Sequence, residues 1–143
     1  MTMRYFTIEE LCRSNTAKQL KIDNSPNDQV KKKLQRLIEE ILDPVRENYG
    51  SPIRVSSGYR CKKLNQAVNG SKTSQHLYGE AADLVPYDGD TRRLFFLIKE
   101  MMEEGRIECG QLIWEYGDQR APKWVHISLP GKHKNQVLYI GVK

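Results

Sequence analysis

Cysteine is scarce. Cys12, Cys61 and Cys109 are an odd number at unrelated spacings, so neither a disulfide framework nor a Cys-x-x-Cys metal knuckle is implied. Three reduced, partly buried thiols are expected. Long apolar runs are absent too: nothing approaches the roughly 20 residues that span a bilayer. The opening Met1-Thr2-Met3-Arg4-Tyr5-Phe6-Thr7-Ile8-Glu9-Glu10 also lacks the apolar region of a secretory signal. The chain is therefore expected to be cytoplasmic as synthesised, with no membrane partner, unless a leader has been trimmed from it. Internal repeats, low-complexity segments and linkers are missing as well. A chain of 143 residues can bury one core unaided, so residues 1–143 read as a single domain, expected to be a monomer.

Charge gives less direction. Hydrophobic residues make up 38% and charged residues 29%, which places the chain among soluble globular proteins. A net charge of +5 suits an anionic partner, a cell-wall polymer or nucleic acid, and equally well simple solubility. Lys31-Lys32-Lys33 has no interleaved aromatics for base stacking and reads as a solvated helix face, so no nucleic acid is expected.

The periodicities predict an α+β domain with a central antiparallel sheet and flanking helices. Thr7-x-x-Glu10 is a capping box opening a short helix to about Arg13. Asn15 to Asn24 reads as connection. Ser25-Pro26 supplies a cap and a first-turn proline for the main amphipathic helix, in which Val30, Leu34, Leu37, Ile38, Ile41 and Val45 recur at helical spacing and which ends near Asn48. Pro44 inside that pattern predicts a bend or break about a turn before its end. Ile53 to Ser57 reads as a strand, Cys61 to Val68 as a short helix and Ala81 to Val85 as a strand. Asp90 can cap a helix whose apolar stripe includes Leu94, Phe95, Ile98, Met101 and Met102 and which ends at Gly105. Gln111 to Tyr116, Trp124 to Leu129 and Gln136 to Val142 read as three strands with antiparallel connections.

Chemistry concentrates in Ser74-Gln75-His76-Leu77-Tyr78-Gly79-Glu80-Ala81-Ala82-Asp83, which sets an imidazole and a carboxylate on either side of a glycine turn. A lone His and Asp are more often surface residues or satisfied hydrogen-bonding partners. With a third ligand they hold a tetrahedral zinc that keeps one position for water. His126, in Lys123-Trp124-Val125-His126-Ile127-Ser128-Leu129, is the expected third ligand. Alternation turns it away from Val125, Ile127 and Leu129 and towards a cleft. His133, beyond Pro130-Gly131 and between lysines, reads as an exposed loop residue outside the site.

Ser56-Ser57-Gly58-Tyr59-Arg60, Leu64-Asn65, Ser74-x-His76-x-x-Gly79-x-Ala81-x-Asp83 and Trp124-Val125-His126-Ile127-Ser128, in that order, resemble the zinc D-Ala-D-Ala carboxypeptidase and endolysin family of murein peptidases. The resemblance runs from about Tyr5 to Leu129. It implies a hedgehog/DD-peptidase-like fold and one Zn²⁺ on His76, Asp83 and His126. It also implies hydrolysis of an amide in the peptide part of peptidoglycan, by a carboxypeptidase at the D-Ala-D-Ala end or an endopeptidase within the stem, with a lean towards the latter. Arg60 matches the family's arginine after Ser-Gly-Tyr, placed to hold a substrate carboxylate or an oxyanion; a structural ion pair is the alternative. Ser74 matches a position that can hydrogen-bond substrate. A cytoplasmic chain that acts on the wall after release points to a phage lysis setting.

One departure matters. Many members carry an acidic general base three positions before the second histidine, where this chain has Lys123. That keeps open a zinc-containing cell-wall-binding module without catalysis; a nucleic-acid-binding domain would rest on charge alone. The simplest hairpin between Gln111–Tyr116 and Lys123–Leu129 pairs Glu115 with Trp124 and Ile113 with His126. Glu115 then becomes the diagonal neighbour of His126, about 7–8 Å away at the Cα atoms. Glu115 is therefore the expected replacement base, with Asp118 in reserve and an ion pair to Lys123 or Arg120 as the alternative role for Glu115.

Overall fold

Local capping decides where the early helices lie in this computed structural model, which describes residues 3–143. The Thr7 hydroxyl accepts from the Glu10 amide and opens α1 (Ile8–Cys12), as the capping box predicts. A second short helix, α2 (Asn15–Gln19), stands where connection was expected. Ser14 caps it by accepting from the Ala17 amide, and Ala17 is its buried residue. One buried position gives no periodicity to read. The main helix starts at α3 (Asp28–Leu37), capped by Asn27 rather than Ser25. Ser25 is turned instead towards Asp23.

Pro44 neither breaks nor ends the helix. Ile38–Leu42 widens into a π turn, with the Asp43 amide bonding back to Ile38 O, and α4 (Asp43–Tyr49) follows with Pro44 in its first turn. The widened turn accommodates the proline's missing donor while the backbone stays right-handed. Gly50, at φ 79°, closes α4 in the left-handed conformation. The buried Asp43 carboxylate accepts from the Arg4 and Tyr5 amides at 2.6 and 3.0 Å and so ties down the N-terminal segment. Asp43→Ala is expected to cost about 2–3 kcal/mol in denaturant unfolding, since it strips a charged acceptor from two amides.

The sheet comprises β1 (Ile53–Ser57), β2 (Ala81–Pro86), β3 (Gln111–Glu115), β4 (Trp124–Ser128) and β5 (Gln136–Ile140), in the order β1-β2-β4-β3-β5. Between β1 and β2 lie α5 (Lys62–Ala67), capped by the Cys61 sulfur, and a 3₁₀ turn at Gln75–Tyr78. Between β2 and β3 runs α6 (Thr91–Glu103), capped by Asp90. The first four strands in this order pair antiparallel, but β5 runs parallel to β3. The all-antiparallel expectation fails there because β2 and β3 occupy both edges of β4. The edges then left are those of β1 and β3, and β5 takes that of β3, running in the same direction.

Alternation gives the sheet two different faces. Ala82, Leu84, Leu112, Trp114, Val125 and Ile127 point into the core, where α6 packs on β2, β3 and β4 and the long helical segment packs behind. Phe95 of α6, fully buried, meets the Trp114 ring edge-on at 5.1 Å. Asp83, Ile113, Glu115 and His126 belong to the opposite face. Among the described residues no helix is long and apolar enough to cross a membrane.

Candidate metal centre

Register brings the first two groups together. Asp83 on β2 pairs with His126 on β4, and His126 pairs in turn with Ile113 on β3, so one row crosses three strands. His76 arrives from outside the sheet, on the 3₁₀ turn. Ser74 caps that turn by accepting from the His76 amide at 3.2 Å, and Gly79 closes it at φ 72°. A side chain at Gly79 would be strained by that φ and would place Cβ 2.9 Å from Val30, so the glycine lets the turn lie against α3.

The three ligand-type side chains are all buried, and their nearest donor atoms lie within 4.8 Å of one another. His76 Nε2 is 3.3 Å from Asp83 Oδ2, and His126 Nδ1 is 3.0 Å from Asp83 Oδ1. Each imidazole has its other nitrogen engaged. His76 Nδ1 lies 2.7 Å from Gly58 O, and His126 Nε2 lies 2.9 Å from Gln75 Oε1. The Gly58 carbonyl only accepts, so His76 Nδ1 carries the proton; with Gln75 turned to present Oε1, His126 Nε2 carries it as well, and the lone pairs of neutral rings then face the carboxylate. Lone pair against lone pair is repulsive unless each ring is protonated or one cation lies among all three groups. The donor set of two neutral imidazoles and a carboxylate, each imidazole oriented by an outer oxygen, fits a zinc ion. Burial pushes the Asp83 carboxyl up; with both rings protonated, hydrogen bonds from His126 and His76 and their positive charges outweigh it and hold the group well below the usual carboxylate range, and a cation among the three groups acts in the same direction.

Gly58 stands in the Ser56–Arg60 motif and Gln75 in the stretch around His76, but sequence alone assigns neither a role at the site. Gly58 contributes through its backbone carbonyl, which no side-chain pattern reveals; Gln75 was visible only as the residue before His76. The close packing of Gly58 is testable. A Cβ there would lie 2.1 Å from Leu11 O, which already accepts the Tyr59 amide at 2.7 Å. Gly58→Ala must therefore displace the strand end that holds His76, and is expected to weaken zinc binding by about 10- to 100-fold in chelator competition.

Around this centre the other expected residues separate. Glu115 pairs with Trp124, the anticipated register, and its Oε1 is 3.7 Å from His126 Nδ1. Among the described residues it makes no ion pair with Lys123 or Arg120. Burial and the neighbouring Asp83 raise its pKa, against the lowering effect of His126 and His76. Asp118 is committed elsewhere: its Oδ1 accepts from the Arg120 and Ala121 amides in the loop. Lys123 is exposed, and His133, half-buried rather than exposed, lies in the loop before β5, outside the cluster.

Arg60 donates from Nη2 to Ser74 Oγ at 3.1 Å, while its buried Nε finds no partner among the described residues. No ion pair holds it there. Burial lowers its pKa, and the charges of Asp83 and Glu115 act against that, as their position on the same side requires. Ser74 thus bridges Arg60 and the turn that carries His76.

Residues 4–128 match the family model described as Peptidase M15. No curated protein matches the chain.

Proposed function

Given that the chain belongs to the Peptidase M15 family, we propose that it is a zinc-dependent peptidase that hydrolyses an amide bond in the peptide part of peptidoglycan, with His76, Asp83 and His126 as metal ligands. The observation that carries the reading is the pair of imidazoles whose lone pairs converge on one buried carboxylate. Zinc bound there supplies Lewis acidity towards a carbonyl and brings the pKa of its water to roughly 7.

The chain's own groups supply the rest. Glu115, beside His126 and open enough to meet substrate, takes the proton of the attacking water at Oε1 and returns it to the departing amine. Arg60, buried on one side and uncommitted at Nε, holds a substrate carboxylate or the developing oxyanion. Ser74 fixes the guanidinium through its hydroxyl and links that position to the His76 turn. Between the two cleavage modes, a free C-terminal carboxylate suits Arg60, whereas a short chain with few loops leaves the cleft open to a longer stem. An endopeptidase is the reading carried forward, and free D-Ala as the main product from pentapeptide stems would reverse it.

The test is chelator-sensitive hydrolysis of purified peptidoglycan. A zinc-loaded protein that sediments with the wall and releases no peptide would instead be a binding module of the same fold, the alternative that Lys123 keeps open.

A further inference from the structure

Beside the metal centre lies a cavity of about 440 Å³ bordered by Gly58 and Arg60, the residues that already touch the His76 turn. Two more arginines line it, Arg13 at the end of α1 and Arg54 on β1, together with Ser56 and Ser57, and none of its lining residues is acidic. Arg54 pairs with Val85, which stands two positions from Asp83 on β2, so Arg54 belongs to the sheet face that carries the His-Asp-His cluster. Its diagonal neighbour on β2 is Asp83 itself, at the roughly 7–8 Å that strand geometry sets.

Among the described residues, Arg13, Arg54 and Arg60 form no ion pair. Glu10 is close enough to feel Arg13: burial raises its pKa and the Arg13 charge lowers it. Three guanidinium groups line one cavity, and an anion in it can use their planar, bidentate donors. The Ser57 hydroxyl lines the same cavity, while that of Ser56 donates to Asp83 O at 3.3 Å. Gly58 and Arg60 border this cavity and are both tied to the His76 turn, so an anion held there lies beside the metal centre and is read as part of the same substrate molecule.

We propose that this cavity receives an acidic side carboxylate of the peptide substrate, with Arg54 and Arg13 as specificity-determining residues separate from Arg60. The proposal rests on the peptidase reading of the adjoining centre and names which peptides that centre prefers: those with a free carboxylate beside the cleaved bond, over the same peptides with that group amidated.

The experiment uses zinc-loaded Glu115→Gln protein, to slow turnover, and two stem peptides with identical C-termini, one with free side carboxylates and one amidated at them. Titration calorimetry should show the acidic peptide binding about tenfold tighter or more, the size expected of one charge-assisted contact. Adding Arg54→Gln or Arg13→Gln should bring that ratio towards one, and Arg54→Lys should keep part of it. Equal binding of the two peptides, an unchanged ratio in both glutamine variants, or binding of neither peptide overturns the proposal. Wild-type hydrolysis is measured alongside. Cleavage without acidic preference removes the subsite and leaves the peptidase, whereas preference without cleavage removes the peptidase and leaves a carboxylate-binding cleft.

Discussion

His76→Ala and His126→Ala each empty the metal centre: zinc falls from about one ion per chain to near none after dialysis against a mild chelator, while His133→Ala keeps its zinc. Each of the first two removes a lone pair already aimed at Asp83. The loss should exceed the roughly 10- to 100-fold that an outer partner such as the Gly58 carbonyl is worth. Stability gives a second readout. Zinc at 100 times its Kd adds about 2.7 kcal/mol to a protein that binds it only when folded, so zinc should raise the melting temperature of the wild type and leave His126→Ala unmoved. Asp83→Asn keeps the size of the side chain but not its charge, and should bind zinc more weakly than wild type. Equal retention of zinc in the two site variants and His133→Ala would remove the centre from these residues.

Glu115→Gln should lower peptidoglycan hydrolysis by about 10²- to 10⁴-fold while zinc content and folding stay at wild-type values. The split follows from position. Glu115 stands beside His126 at 3.7 Å yet outside the triad of converging donors, so its amide analogue leaves the ligands intact and removes only the proton acceptor. Its register depends on the β3–β4 hairpin, where Glu115 faces Trp124 and Ile113 faces His126. Slippage by one residue would turn the carboxylate to the other face. Unchanged activity would leave proton transfer to the metal's water alone, because Asp118 spends its carboxylate on two loop amides.

That hairpin shows what the sequence makes legible. Alternation around His126 on β4 and a short connection favour the simplest hairpin, the register that buries Leu112, Trp114, Val125 and Ile127 together and sets Ile113 opposite His126, although Leu112, Ile113 and Trp114 on β3 are apolar without alternation. Caps were legible where the side chain acts on its own helix, as at Thr7 and Asp90, and misjudged where two candidates compete, as between Ser25 and Asn27. What stayed hidden depends on tertiary placement. With both edges of β4 occupied, β5 cannot pair with its predecessor in the chain and adds to β3 instead, a property of the whole sheet. The π turn before Pro44 keeps apolar residues buried on either side of a proline that local rules read as a break. Within the site, His76, Asp83 and His126 suggested a metal by residue type only weakly, and it was the resemblance of the ordered motifs that gave them as a ligand set. Which nitrogen of each ring faces inward became readable only once Gly58 O and Gln75 Oε1 were in place.

The most direct measurement of the central claim is the mass of the products formed from a defined muropeptide by zinc-loaded protein, by the same protein stripped with chelator, and by the stripped protein after zinc is restored. The account predicts two fragments whose masses sum to the substrate plus one water, cut at an amide of the stem, lost on stripping and regained with zinc. An intact muropeptide with the zinc-loaded protein, or cleavage that survives complete removal of the metal, would contradict it.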